Sequence, residues 1–248
     1  MENMPNVLSM ALGAGETSLI DLTAAYASFV NGGKKVEPSL IDRIQDRRGK
    51  NIFLENFIAC TNCDEPYIEE NPMPKLVNSY DSIFDEAKSY QMVSILKGAV
   101  DRGTGRKTKI DGIEIAGKTG TTNNNTDAWF IGFTSDLIVG VYAGFDRPKS
   151  LGKRETGSSV AVPIFRDFVK NYYQEKPILP FTIPNGIELI KINYDTGEIA
   201  SEFNSSESVY EAFSKSDKLV SSGEILVGSE GFQIIEVADE VMEEYVIY

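Results

Sequence analysis

Lys118, Thr119, Gly120 and Thr121 stand in the stretch Gly112-Ile-Glu-Ile-Ala-Gly-Lys-Thr-Gly-Thr-Thr122, whose spacing admits two chemistries. Residues 112–119 satisfy G-x-x-x-x-G-K-[ST], the loop whose amides cradle phosphates. The other reading is a Lys-Thr-Gly triplet carried on an extended strand. A phosphate loop needs a buried strand before its first Gly, a flexible loop, and a helix starting near the Lys. Here the polar run Arg106-Lys-Thr-Lys-Ile-Asp111 precedes, and Ile113-Glu-Ile-Ala116 alternates as a strand does. Thr, Gly and three Asn follow the Lys, a poor helix start and a good strand end. Nucleotide binding is therefore disfavoured. The chain has no His, which excludes Ser-His-Asp and Cys-His catalysis and leaves Lys as the base for any acyl transfer.

The elements that position this stretch can be read from periodicity. Residues 113–122 form one strand, 128–133 a second and 137–145 a third, joined by turns at 123–126 and 134–136, so an antiparallel meander is predicted. Glu16 or Thr17 caps a helix with Leu19, Leu22, Tyr26 and Phe29 on one face, stopped by Asn31-Gly-Gly33. Residues 39–44 and 50–54 form a hairpin. Residues 55–80, rich in Pro, Asn and acid, read as an irregular surface insertion. A second helix spans 85–101, with Ala87, Tyr90, Val93, Leu96 and Val100 aligned. A third spans 158–174, with Val162, Phe165, Phe168, Val169 and Tyr172 inward and Pro163 in its first turn. Residues 186–193 pair with Glu198-Ile199 over a turn.

Composition is that of a globular protein: 248 residues, 42% apolar and 25% charged, with net charge −13. The acidic balance argues against nucleic acid or anionic lipid as partner. No window of eighteen apolar residues exists, and no secretory signal opens the chain. Cys60-Thr-Asn-Cys63 lacks further soft ligands for zinc, so a local disulfide in an oxidising compartment or two free thiols remain. No cofactor and no metal are expected.

Ala116-Gly-Lys-Thr-Gly-Thr-Thr-Asn123, with Asp127-Ala-Trp-Phe130 and Gly132-Phe133 after it, resembles the K-T-G region of class A penicillin-binding proteins, 1A type. Further blocks agree in order. They are Leu8-Ser-Met-Ala-Leu-Gly-Ala-Gly-Glu-Thr17 with Leu22-Thr-Ala-Ala-Tyr26, Tyr90-Gln-Met92 with Arg102-Gly-Thr-Gly105, and Gly152-Lys-Arg-Glu-Thr-Gly157 with Ala161-Val-Pro-Ile-Phe165. The resemblance covers roughly residues 4–215. It implies an α+β class, a partial penicillin-binding/β-lactamase-like transpeptidase fold whose antiparallel meander is packed by helices. It also implies acyl transfer on peptidoglycan stem peptides, and binding of β-lactams, through the motifs S-x-x-K, S-x-N and K-T-G. On that basis Lys118 is the catalytic cation. Thr119 and Thr121 take the substrate carboxylate, Gly120 lets the ligand backbone lie against the strand, and the Thr121 N–H is an oxyanion donor.

The other two motifs do not fit. Ser94-Ile-Leu-Lys97 has the spacing but sits in the wrong block, Ser150-Leu-Gly-Lys153 lies in a turn, and S-x-N occurs nowhere. The expectation is a C-terminal part of a transpeptidase domain at 1–180, with a surface insertion at 55–80, a small β extension at 181–205 and a disorder-prone acidic tail at 206–248. Such a chain is inactive alone and needs a complementing N-terminal chain; the alternative is a non-catalytic remnant or binding module. The intact family works at the periplasmic face of the inner membrane, and this chain made alone stays cytoplasmic. Packing helices are expected to be missing, leaving apolar faces of the meander exposed.

Overall fold

A computed structural model describes residues 15–55, 58–61, 75–78, 80–200, 208–216, 226–228 and 231–233, with Val7, Leu8, Met10 and Gly13. They fall into two units, Met1–Asn185 and Gly186–Tyr248. In the first, helix α1 (Leu19–Val30) is capped by Ser18, whose hydroxyl accepts the Asp21 N–H at 3.1 Å. The cap lies just after the expected Glu16 or Thr17, because Ser18 is the extended residue that reaches the third helical amide, whereas the Thr17 hydroxyl is buried without a partner. The stop is tight. Gly33 has φ +86°, and a Cβ there would lie 2.1 Å from the Phe84 carbonyl oxygen.

Strands β1 (Arg43–Gln45) and β2 (Asn51–Leu54) form the expected hairpin, shortened because Asp46 draws the Arg48 and Lys50 amides into its turn. The stretch 55–80 is less irregular than expected. Strands β3 (Ile58–Thr61) and β4 (Lys75–Asn78) pair antiparallel within it, each carrying apolar or β-branched residues. The side chains of Cys60 and Cys63 lie outside the described residues, and so does the disulfide expectation. Helix α2 (Glu86–Asp101) starts at Asp85, which accepts the Lys88 N–H at 2.7 Å, and it buries Val93, Leu96 and Val100 as their spacing requires.

The meander follows: β5 (Ala116–Thr121), β6 (Asp127–Phe133) and β7 (Ile138–Gly144), in the order β5-β6-β7. β5 begins three residues later than expected. Gly112 at φ +80° turns the chain so that the Ile113 N–H donates to the Ile110 carbonyl at 3.1 Å, which spends Ile113 on a local turn. Past Thr121, Asn124 and Asn125 adopt φ of 62° and 53°, a conformation Asn tolerates. Asp127 holds this turn. Its carboxylate accepts from Tyr142 at 2.7 Å and from Thr126 and Thr122 at 3.0 Å, and these bonds, Tyr142 foremost, lower its pKa.

Alternation assigns the faces. Ala116, Lys118 and Gly120 share one face with Phe133, Ile131 and Trp129, while Gly117, Thr119 and Thr121 share the other with Gly132, Phe130 and Ala128. Helix α1 lies over the first face, where a Cβ on Gly140 would meet the Thr23 hydroxyl at 2.1 Å. The second face is closed by helix α3 (Val162–Tyr172), entered through a π turn at Gly157–Ala161. Its core joins Phe130, Val141, Val162, Phe165 and Val169, and the Phe130 and Phe165 rings stand edge to face at 4.8 Å. Phe168 does not point inward as expected but is 51% exposed. The buried stripe runs 162, 165, 169 and 173, one residue out of phase with it, and Phe168 stacks on Tyr172 instead. At the end of α3, Tyr173 meets Thr134 at 2.6 Å and donates to Asp136; burial and that carboxylate push its pKa up to about 12. The chain thus covers both meander faces with its own helices, contrary to the expected exposure, and Tyr142 and Phe145 at the end of the meander stay half-exposed.

In the second unit, β8 (Ile187–Asn193) pairs along its length with β9 (Ser208–Ser214). The expected partner Ile199 makes only a single bridge to Ile192. β9 falls within the stretch read as an acidic tail: its Val209, Ala212 and Phe213 give it apolar residues to pair with. Strands β10 (Leu226–Gly228) and β11 (Gly231–Gln233) form a further antiparallel pair.

Two outcomes are expected. Phe165→Ala removes a fully buried ring and costs about 3–5 kcal/mol in urea unfolding followed by the fluorescence of Trp129; a loss under about 1 kcal/mol would contradict the packing. The lowered Asp127 pKa gives stability that is present above the unfolded-state value and lost as pH falls through the folded-state value. The difference in Tm between the wild type and Asp127→Asn therefore shrinks below about pH 4, and a constant difference down to about pH 3 would refute the assignment.

Candidate functional site

β5 is an outer strand of the meander: its inner edge pairs with β6 and its outer edge pairs with no strand among the described residues. The four residues singled out by sequence lie on it in succession. The Lys118 side chain is exposed and its Nζ donates to the Thr119 carbonyl at 2.9 Å. No carboxylate pairs with it among the described residues, so its charge is available to a ligand. Gly120 faces Trp129 across the ladder, and a Cβ there would come within 3.1 Å of the Trp129 Cβ.

The threonines are engaged from the other face. Thr119 Oγ1 lies 2.8 Å from Thr104 Oγ1, and Thr121 Oγ1 accepts the Gly157 N–H at 3.0 Å. Gly157 must be glycine, because a Cβ would fall 2.6 Å from the Gly120 oxygen and 2.4 Å from the Trp129 oxygen. The start of the π turn is thus laid directly on the last residue of the triplet. Neither Thr104 nor Gly157 was assigned a role by residue chemistry. Their signal lay in the Arg102-Gly-Thr-Gly105 and Gly152–Gly157 blocks, whose contact with the triplet is too distant in sequence for local patterning to find.

The remaining candidates are placed elsewhere. Lys97 is held by Glu114 at 2.6 Å, and the other Glu114 oxygen accepts the Phe181 N–H at 3.0 Å. Partial burial pushes the Glu114 pKa up, but the bonds to Lys97 and Phe181 outweigh it and the net shift is downward. Lys97 therefore ties α2 to the strand entry. Ser150 accepts the Gly152 N–H in a turn, and Lys153 lies in the next one. The phosphate-loop reading fails on geometry, since Lys118 is mid-strand and a second strand, not a helix, follows. A cavity of about 240 Å³ lined by Phe29, Glu86, Tyr90 and Phe181 includes none of Lys118, Thr119, Gly120 and Thr121.

The outer edge of β5 offers unpaired backbone groups to an extended peptide, a cation beside it, and hydroxyls for an anion. Arg102, Arg106 and Lys107 in the loop next to Thr104 add positive potential.

The penicillin binding protein transpeptidase domain family matches residues 4–170. Penicillin-binding protein 1A of Rickettsia conorii is 47% identical over 199 residues, 78% of this chain and 25% of the relative. That of Rickettsia typhi is 40% identical over 245 residues, covering 96% of this chain and 30% of the relative. That of Neisseria gonorrhoeae is 37% identical over 186 residues, covering 74% and 21%. The crystal structure of penicillin-binding protein 1A from Haemophilus influenzae superimposes with a TM-score of 0.65 at 29% identity, covering 82% of this chain and 33% of that one. The chain spans less than a third of the length of each of these relatives. It belongs to the penicillin-binding protein transpeptidase domain family.

Proposed function

We propose that this chain supplies the K-T-G side of a peptidoglycan D,D-transpeptidase centre, with the nucleophilic Ser and the S-x-N hydroxyl coming from outside these 248 residues. The observation that carries the reading is the placement of Lys118, Thr119, Gly120 and Thr121 on an open strand edge.

In the reaction, a Ser Oγ attacks the carbonyl between the last two D-Ala residues of a stem peptide. The C–N bond breaks, the terminal D-Ala leaves with a proton on its amine, and an acyl-enzyme remains. An amine of a neighbouring stem then displaces the Ser. The donor peptide adds to the outer edge of β5 as a further strand. Lys118 stabilises the ionised or hydrogen-bonded forms of the groups around the Ser through its charge. Thr119 and Thr121 donate hydroxyl protons to the terminal carboxylate. Thr121 can do so while accepting from Gly157, because a hydroxyl both donates and accepts. The Thr121 N–H is one donor to the oxyanion of the tetrahedral intermediate, and Gly120 keeps the strand surface clear for the ligand backbone. A β-lactam occupies the same edge with its carboxylate at the same hydroxyls. Among the described residues no helix is long and apolar enough to cross a membrane. The substrate class sets the work on the periplasmic side.

The purified 248-residue chain is expected to take no covalent label from a fluorescent penicillin. Adding a polypeptide that carries S-x-x-K and S-x-N restores labelling, and Lys118→Ala slows it by about 10²–10³-fold. Stoichiometric labelling of the chain alone, or restored labelling that ignores Lys118→Ala, would overturn the reading.

A further inference from the structure

Thr104 belongs to a loop with almost no freedom. After α2 the Arg102 N–H donates to the Gly98 carbonyl at 2.8 Å and the Gly105 N–H to the Ala99 carbonyl at 3.0 Å, folding Arg102-Gly-Thr-Gly105 back on the last helical turn. A Cβ on Gly103 would lie 2.8 Å from the Ala99 oxygen, and one on Gly105 would lie 3.2 Å from it. Thr104, between these glycines, reaches β5, and its hydroxyl stands 2.8 Å from that of Thr119.

Two hydroxyls share one hydrogen bond, and either can be the donor. A carboxylate changes that. It accepts only, so the single Thr119 proton must turn to it, and the bond between the threonines survives only if Thr104 donates. The result is a one-way chain from Thr104 to Thr119 to the anion, in which each bond polarises the next and the last is charge-assisted. The exposed Arg106 and Lys107 that follow in sequence add positive charge on the same side of the sequence block.

We propose that Thr104 is a positioning residue for carboxylate recognition: its hydroxyl donates to Thr119 and aims the Thr119 proton at the terminal carboxylate of the peptide or β-lactam. The inference rests on the assignment of Thr119 above. It makes Thr104 a determinant of specificity for a free C-terminal carboxylate over an amide, and not only a brace for the strand.

The test is a titration of the ¹⁵N-labelled chain with N-acetyl-D-alanyl-D-alanine and with the same dipeptide as its C-terminal amide, reading the amide shifts of Thr119, Gly120 and Thr121. The wild type prefers the acid. Thr104→Val, equal in shape but without the hydroxyl, reduces that preference about fivefold, Thr104→Ser restores it, and Tm moves little in either. If Thr104→Val leaves the acid-over-amide ratio unchanged, or weakens both ligands equally with a lowered Tm, Thr104 is only structural and the inference falls. If neither ligand shifts these amides in the wild type, the assignment of Thr119 falls, and the inference with it.

Discussion

Close approach at glycine is the constraint on which the rest of the structure depends. A Cβ on Gly132 would lie 2.4 Å from the Phe130 ring and 2.7 Å from the Phe165 ring, and one on Gly117 would lie 2.8 Å from Phe130. Those two rings join α3 to the middle of the meander, so the glycine before Lys118 and the glycine opposite it make room for the contact that anchors the domain. Gly157 then lets the start of the π turn settle on the Gly120 backbone, where its N–H meets Thr121. The residues around the triplet serve packing as much as ligand access. Lys118 can be aimed by the strand alone because the strand's other face is held this firmly.

Two lysines show how environment separates similar residues. Lys97, at S-x-x-K spacing, is neutralised by Glu114, and through Glu114 it fixes the segment at Phe181. Lys118 donates to a backbone carbonyl and meets no carboxylate among the described residues. The first is a brace. The second is an unspent charge on the strand edge that the proposed acyl transfer would use.

Much of this was legible in the sequence, for reasons that differ by element. The meander was readable because alternation, Asn-rich turns and the triplet agreed over short range, and α2 because Val93, Leu96 and Val100 keep helical spacing. Local patterning failed where partners are distant or where one residue shifts the phase. β8 pairs along its length with the distant β9 and only at one bridge with the nearer Ile199, Gly112 turns Ile113 out of β5, and the inward stripe of α3 bypasses Phe168. Of the site, the four residues of β5 were readable in order. Thr104 was not, because an exposed threonine between two glycines carries no periodic signal, and its meaning comes only from a contact with Thr119 fifteen residues away.

Lys118 is proposed to serve an acyl-transfer site whose nucleophile lies outside these 248 residues. That role is tested most directly by labelling native cells with a fluorescent penicillin and mapping the modified serine by mass spectrometry in the band that contains peptides of this chain. The expected result is a labelled band well above 27.4 kDa with the penicilloyl group on a serine outside residues 1–248. A penicilloyl group on Ser94, Ser150 or any other serine of this chain would contradict it.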